Sequence, residues 1–327
     1  MTHALITGGA GFIGSHLSER LLKLGHTVTV IDDLSTGTLA NLTTLQQYPH
    51  FKYAIEDIRN LQVMDRLVSE CDVIYHLAAA VGVQKIISEP IHTIEVNIGG
   101  SEVVLKMARR YRKKTMIAST SEVYGKGVSF PFREDDDSLL GPTTRSRWSY
   151  AASKAIDEFL ALAYHKEVDL PVVIFRLFNT VGPRQRGQYG MVLPRFVRWA
   201  VRGEPILVYG DGQQQRCFGN VHDVVEAIHT LSEASGVEGQ VFNIGSTEEI
   251  SIMELAQRVR DRADSPSEIK LVPYDEAYET GFEDFRRRVP STEKIEQAIG
   301  WRPKTPLNET IDQVIAHIQQ EEINKHG

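Results

Sequence analysis

The chain has 327 residues, 42% hydrophobic and 24% charged, enough for one large or two modest cores. A net charge of −7 and a pI near 5.9 argue against a nucleic-acid partner, and no apolar run approaches the roughly 18 residues of a membrane helix. Two cysteines, Cys71 and Cys217, are too few for a disulfide framework and lie far from metal-ligand spacing, so they read as packing residues in a reducing, cytoplasmic setting. The stretch Met1 to Gly8 has no basic flank before its apolar run and leads into a glycine loop, which reads as part of the fold and not as a signal peptide.

In chain order, β-branched runs at Ala4 to Thr7, Thr27 to Ile31, Phe51 to Ile55, Val73 to Leu77, Thr115 to Ala118 and Val172 to Phe175 alternate with amphipathic segments such as Ser15 to Leu24, Met64 to Glu70 and Val103 to Tyr111. That alternation predicts an α/β fold with a doubly wound parallel sheet. The first strand empties into Gly8, Gly11, Phe12, Ile13 and Gly14 just ahead of a helix. Glycines at this spacing permit a tight turn, close approach of a pyrophosphate and close helix-to-strand packing, so a dinucleotide is expected there. The second strand ends at Asp32 and Asp33, where a carboxylate accepts from the adenosine ribose and repels a 2′-phosphate, favouring NAD over NADP. Asp57 and Ile58 follow the third strand toward the adenine, and Leu77, Ala78 and Ala79 leave the fourth with small side chains where a cofactor backbone would pass.

The fifth strand ends in Ser119, Thr120, Ser121 and Glu122, at the edge where ligands of such sheets bind. Tyr150 and Lys154 come some thirty residues on, at i and i+4 of a helix, so phenol and ammonium share a face. A cation beside the phenol is expected to lower its pKa and make it a usable base, with Lys154 also anchoring the nicotinamide ribose and Thr120 or Ser121 holding the substrate hydroxyl. Tyr124 reads as structural, and Asp135 to Asp137 as a solvated loop.

With these motifs, His76 to Ala79, Asn97 within Val96 to Gly99, and Tyr150 to Lys154 in register, the whole chain resembles the extended short-chain dehydrogenase/reductase family, nearest to its nucleotide-sugar epimerases, dehydratases and decarboxylases. The resemblance implies a Rossmann-like NAD-binding domain over 1–178, with 220–245 returning to it, and a smaller C-terminal domain over 179–327 that is mainly substrate-binding. It also implies a UDP-sugar substrate, a homodimer built on the helices around Val96 to Tyr111 and Ser149 to His165, and a cofactor contact from Asn97. Asn179 and Arg216 would meet the diphosphate and Tyr209 the nucleoside. The segment Pro183 to Val192 departs from the decarboxylase pattern at the nucleotide clamp, which leaves base and sugar open. The shared first step is oxidation at the sugar C4, with Tyr150 taking the proton. Thr120-Ser121-Glu122 looks like the UDP-glucuronate decarboxylases, and within Gly281 to Ser291 the Arg-x-Pro pattern makes Arg288 the arginine that binds a substrate carboxylate or polarises the enolate left behind. A UDP-sugar 4-epimerase is the alternative; a 4,6-dehydratase and a catalytically silent NAD-binding protein stand further off.

Overall fold

The structure, a computed structural model, describes residues 1–82, 86, 88–187, 191–277 and 286–326. Parts of two stretches singled out above, Gln188 to Gly190 and Gly281 to Phe285, lie outside the described residues. Six strands, β1 (His3–Thr7), β2 (Thr27–Asp32), β3 (Phe51–Ile55), β4 (Val73–His76), β5 (Lys114–Thr120) and β6 (Val172–Leu177), join the strand Gln240–Ile244 in one sheet. Its order is Gln240–Ile244, β6, β5, β4, β1, β2, β3, and every pairing is parallel. The order reverses between β1 and β4, and a doubly wound sheet binds its ligand at the crevice so formed.

The strand sequences follow from where the strands lie. β1, β4 and β6 are covered on both faces and read as near-continuous apolar runs, whereas the edge strand β3 is largely open to solvent. One face carries the helices Phe12–Lys23 and Val221–Glu233, packed through Leu17, Leu21, Val224 and Ile228. The other carries Leu61–Glu70, Gly100–Tyr111 and Ser149–Val168, packed through Met64, Leu105 and Ala161. After Asn220 the chain runs through the helix Val221–Glu233 on the sheet and then the edge strand Gln240–Ile244. A separate apolar core joins the helices Val192–Arg202, Ile252–Arg262 and Leu307–His326.

Two features of this second lobe position the site. Ser251 caps the helix Ile252–Arg262 in a reciprocal box with Glu254, which fixes the end of the short strand Glu249–Ser251. That strand pairs with Gln215–Cys217, whose other edge takes Arg287–Arg288 in parallel, Arg288 opposite Arg216. Tyr124 is structural: it is fully buried, stacks on Phe132 and donates to Asn243 Oδ1 at 2.7 Å.

Candidate active site

A cleft of about 470 Å³ runs along the carboxyl ends of β1, β4, β5 and β6 and under the second lobe. The glycine loop forms its floor. Gly8 has φ +70°, and a Cβ there would stand 2.8 Å from Ala78 N, so the turn admits no side chain. A Cβ on Gly14 would meet Gly8 O at 2.3 Å, the close packing of helix on turn expected from the sequence. Gly11 is the N-cap of Phe12–Lys23 and supplies no side-chain bond, so the first amides of that helix stay available to an anion.

Asp32 accepts from Ala10 N (2.9 Å) and Leu34 N (2.8 Å), which orients its carboxylate at the end of β2. Burial nevertheless raises its pKa, the backbone donors working the other way. Each oxygen keeps a lone pair for a ribose hydroxyl. Asp33, Asp57 and Ile58 line the same end of the cleft, with Leu77, Ala78 and Ala79 opposite. Asp57 is held by a 2.6 Å ion pair to Arg59, which lowers its pKa.

Asn97 has its side chain turned to protein partners. It is 1% exposed and does not line the cleft; its Oδ1 accepts from Ala80 N at 2.8 Å and its Nδ2 donates to Ser153 Oγ at 3.0 Å. The residue braces the segment after β4 against the helix bearing Tyr150 and Lys154.

The end of β5 brings Ser119, Thr120, Ser121 and Glu122 to the wall facing Tyr150 and Lys154. Ser119 Oγ is committed to Glu158, itself paired with Arg176 at 2.7 Å behind the wall. Thr120 Oγ1 accepts from Glu122 N at 3.2 Å, starting a short 3-10 turn, and its side chain is hydrogen-bonded to the Tyr150 phenol.

The electrostatics of Tyr150 reverse the expectation. Burial pushes the phenol well above its ordinary value and the charge of Glu122 adds to the rise, while the Thr120 hydrogen bond opposes them. Lys154, expected to lower it, donates instead to Asp157 at 2.6 Å, and both are almost wholly buried. The carboxylate neutralises the ammonium's field, so in the protein alone Tyr150 stays protonated. Behind this pair His76, its pKa lowered to about 3 by burial and then by Lys154, links Ser101 Oγ (3.1 Å) to Thr7 Oγ1 (2.8 Å).

Glu122 sits between two guanidiniums, with Arg147 Nη1 2.5 Å from Oε2 and Arg288 Nη1 3.4 Å from Oε1. Burial alone would raise its pKa; the two arginines overrule it and hold the carboxylate ionised. Arg288 also donates to Asn179 Oδ1 at 2.9 Å. Of the other two arginines of the run, Arg287 faces away from Arg288 as strand alternation requires and pairs with Glu249 at 2.9 Å, while Arg286, just before the strand, is exposed. Tyr209 lies under the Arg195 guanidinium, 4.9 Å from ring centroid to Cζ, and Arg216 completes this end.

Among the wall residues given no role of their own in the sequence reading are Arg147, Arg195 and Tyr274. The proximity of Arg147 to Tyr150 was the available signal for the first.

The sequence pattern of the GDP-mannose 4,6 dehydratase family matches residues 5–314. The chain belongs to this family, within the extended short-chain dehydrogenases/reductases. Among its members, the UDP-N-acetyl-alpha-D-glucosaminuronate decarboxylase of Bacillus cytotoxicus is 43% identical over 95% of this chain and 96% of its own. UDP-glucuronic acid decarboxylase 1 of Danio rerio is 35% identical over 97% of this chain and 72% of its own. The crystal structure of the UDP-glucuronic acid 4-epimerase from Bacillus cereus, in complex with UDP-glucuronic acid and NAD, matches with a TM-score of 0.88 at 27% identity, over 98% of this chain and 99% of that one.

Proposed function

We propose that the chain is an NAD-dependent UDP-uronic acid decarboxylase with UDP-glucuronate as its substrate. The observation that carries this reading is Glu122 between Arg147 and Arg288 on the cleft wall beside Tyr150. A guanidinium pair suits a substrate carboxylate, and an epimerase of neutral sugars has no use for one. The identity to two uronate decarboxylases along nearly the whole chain supports it.

The glycine cradle, the uncapped helix start and the buried Asp32 carboxylate fit NAD, with Lys154 at its ribose. When bound, NAD supplies a hydride acceptor beside the sugar C4. The remaining work falls to the chain's own side chains. Tyr150, protonated in the protein alone, would become a base once the positive charge of an oxidised nicotinamide favours its phenolate, and would then take the proton of the 4-hydroxyl while Thr120 holds the phenol in place. Once C4 is a ketone, the substrate carboxylate is that of a β-keto acid. The C5–C6 bond then breaks, carbon dioxide leaves, and the electron pair moves onto the C4 oxygen, where the hydroxyls of Tyr150 and Thr120 stabilise it. C5 regains a proton, and the product is UDP-xylose if the hydride is returned or a UDP-4-keto-pentose if it is not. In this reading 1–178 with 220–245 holds the cofactor, and the rest of 179–327, through Asn179, Tyr209 and Arg216, holds the nucleotide.

Incubation of the NAD-loaded protein with UDP-glucuronate, followed by mass spectrometry, tests the proposal: the expected product has lost carbon dioxide. An isomer of unchanged mass would favour the 4-epimerase instead. A second substrate, UDP-N-acetylglucosaminuronate, enters on the 43% identity to the Bacillus cytotoxicus enzyme and belongs in the same assay.

The same reading makes the protein a cytoplasmic homodimer. Ile91 and Phe159, 73% and 75% exposed on the adjacent helices Pro90–Ile94 and Ser149–Val168, offer an apolar face for a second copy. The two buried free cysteines fit a reducing compartment.

A further inference from the structure

At the opposite edge of the sheet, where β1 and β4 begin, a second cavity of about 310 Å³ lies beside the end of the helix Val221–Glu233. His26, His229 and Glu233 line it, and none of the three lines the nucleotide cleft. His229 and Glu233 are four residues apart on one helix and share a face. His26 comes from the turn between the helix Phe12–Lys23 and β2, its ring centroid 5.7 Å from that of His229. One ligand atom from each residue lies within 4.8 Å of the other two.

The His229–Glu233 ion pair at the helix end is the plain alternative, and the burial of the imidazole and the spacing of the ligand atoms are what suit the group to a metal as well. His229 is 8% exposed, and its buried Nε2 is paired, at long range, with the Glu233 carboxylate. Glu233 Oε1 stands 3.4 Å from that nitrogen. The spacing is long for a hydrogen bond, but it matches the edge of a tetrahedron around a metal with bonds near 2.0–2.1 Å, which is about 3.4 Å.

We propose that His26, His229 and Glu233 bind a divalent transition-metal ion, with zinc the best match to two imidazoles and a carboxylate. Calcium and magnesium prefer all-oxygen shells and suit this donor set poorly. Three protein ligands leave a fourth position open to the cavity, where the hydrogen-bonded pair Tyr75 and Ser232 (2.6 Å) forms part of the wall. His26 Nδ1 accepts a long hydrogen bond of 3.3 Å from Thr2 N, and ligation gives up that bond either way: Nδ1 turns its lone pair to the metal, or the proton on Nε2 moves to Nδ1 so that Nε2 can bind. Arg20 places one positive charge near His229, and the Glu233 carboxylate opposes it. The bound ion would tie the turn at His26 to the last turn of the helix, clamping two elements of the same core.

The test uses full-length protein stripped with a chelator, titrated with zinc by calorimetry and melted with and without the metal. One equivalent is expected to bind, with a melting temperature that rises with zinc concentration. His229→Gln and Glu233→Gln are each expected to weaken binding by more than about tenfold and to abolish the thermal response. Glu233 is 60% exposed at its side chain, so the zinc-free melt of Glu233→Gln should match the wild type, separating loss of a ligand from loss of fold. Absence of binding, or binding unchanged in both Glu233→Gln and His26→Gln, would overturn the proposal.

Discussion

Replacing Lys154 with Met isolates what the buried ion pair contributes. Lys154 and Asp157 are 3% and 1% exposed at their side chains and 2.6 Å apart, and Asp157 Oδ1 has no hydrogen-bond partner of good geometry among the described residues. Removing the ammonium leaves an uncompensated buried carboxylate, a loss of about 3–5 kcal/mol of stability. The loss depends on pH. Burial already raises the pKa of Asp157, with Lys154 pulling it back, so without Lys154 it rises further. A carboxyl whose folded pKa exceeds its unfolded value binds protons more readily when folded, so stability falls as pH rises through that window. The deficit of Lys154→Met is therefore expected to be smallest in acid and to widen toward neutrality. Lys154→Met/Asp157→Asn leaves no buried charge and should recover all but about 1–2 kcal/mol. Urea denaturation at matched NAD concentration, between about pH 5 and pH 8, measures all three proteins. Equal losses in the single and double variants, flat across that range, would refute the argument.

Tyr150→Phe should cut turnover by about 10²–10⁴-fold while leaving NAD retention unchanged, read by single-turnover kinetics and cofactor release. Glu122→Gln removes the anion that helps raise the Tyr150 phenol, so the rise of rate with pH should move to lower pH even as decarboxylation of UDP-glucuronate slows. Gly14→Ala, forcing a methyl to 2.3 Å from Gly8 O, should cost about 1–3 kcal/mol by overpacking and weaken NAD binding, measured by fluorescence titration. Phe159→Glu should shift the sedimentation of the native protein toward a monomer without changing its far-ultraviolet circular dichroism.

What the sequence made legible was local or periodic. The six β-branched runs and the glycine loop rest on alternation and turn sterics within a few residues, and they occupy the sheet and the turn after β1. Contacts between distant residues left no such trace. The Glu158–Arg176 pair behind β5, the brace at Asn97 and the pairing of Glu122 with Arg147 each join residues whose spacing carries no period. The Tyr150 pKa was misjudged for the same reason. The i, i+4 pattern places the lysine beside the phenol, but the carboxylate that neutralises it became significant only once burial of all three groups was known.

The pairing of Arg287–Arg288 with Gln215–Cys217 sets more than the position of one side chain. Arg288 and Arg216 are opposite one another in that ladder, so the backbone positions of the cations proposed for the carboxylate and the diphosphate are one strand separation apart. A one-residue slip would exchange Arg288 for Arg287, turn the inward cation toward solvent and strand the partner of Glu249 in the cleft. On the proposed assignment, the two cations that would span a sugar nucleotide are anchored at a spacing set by backbone hydrogen bonds, and their side chains can adjust only around those fixed points.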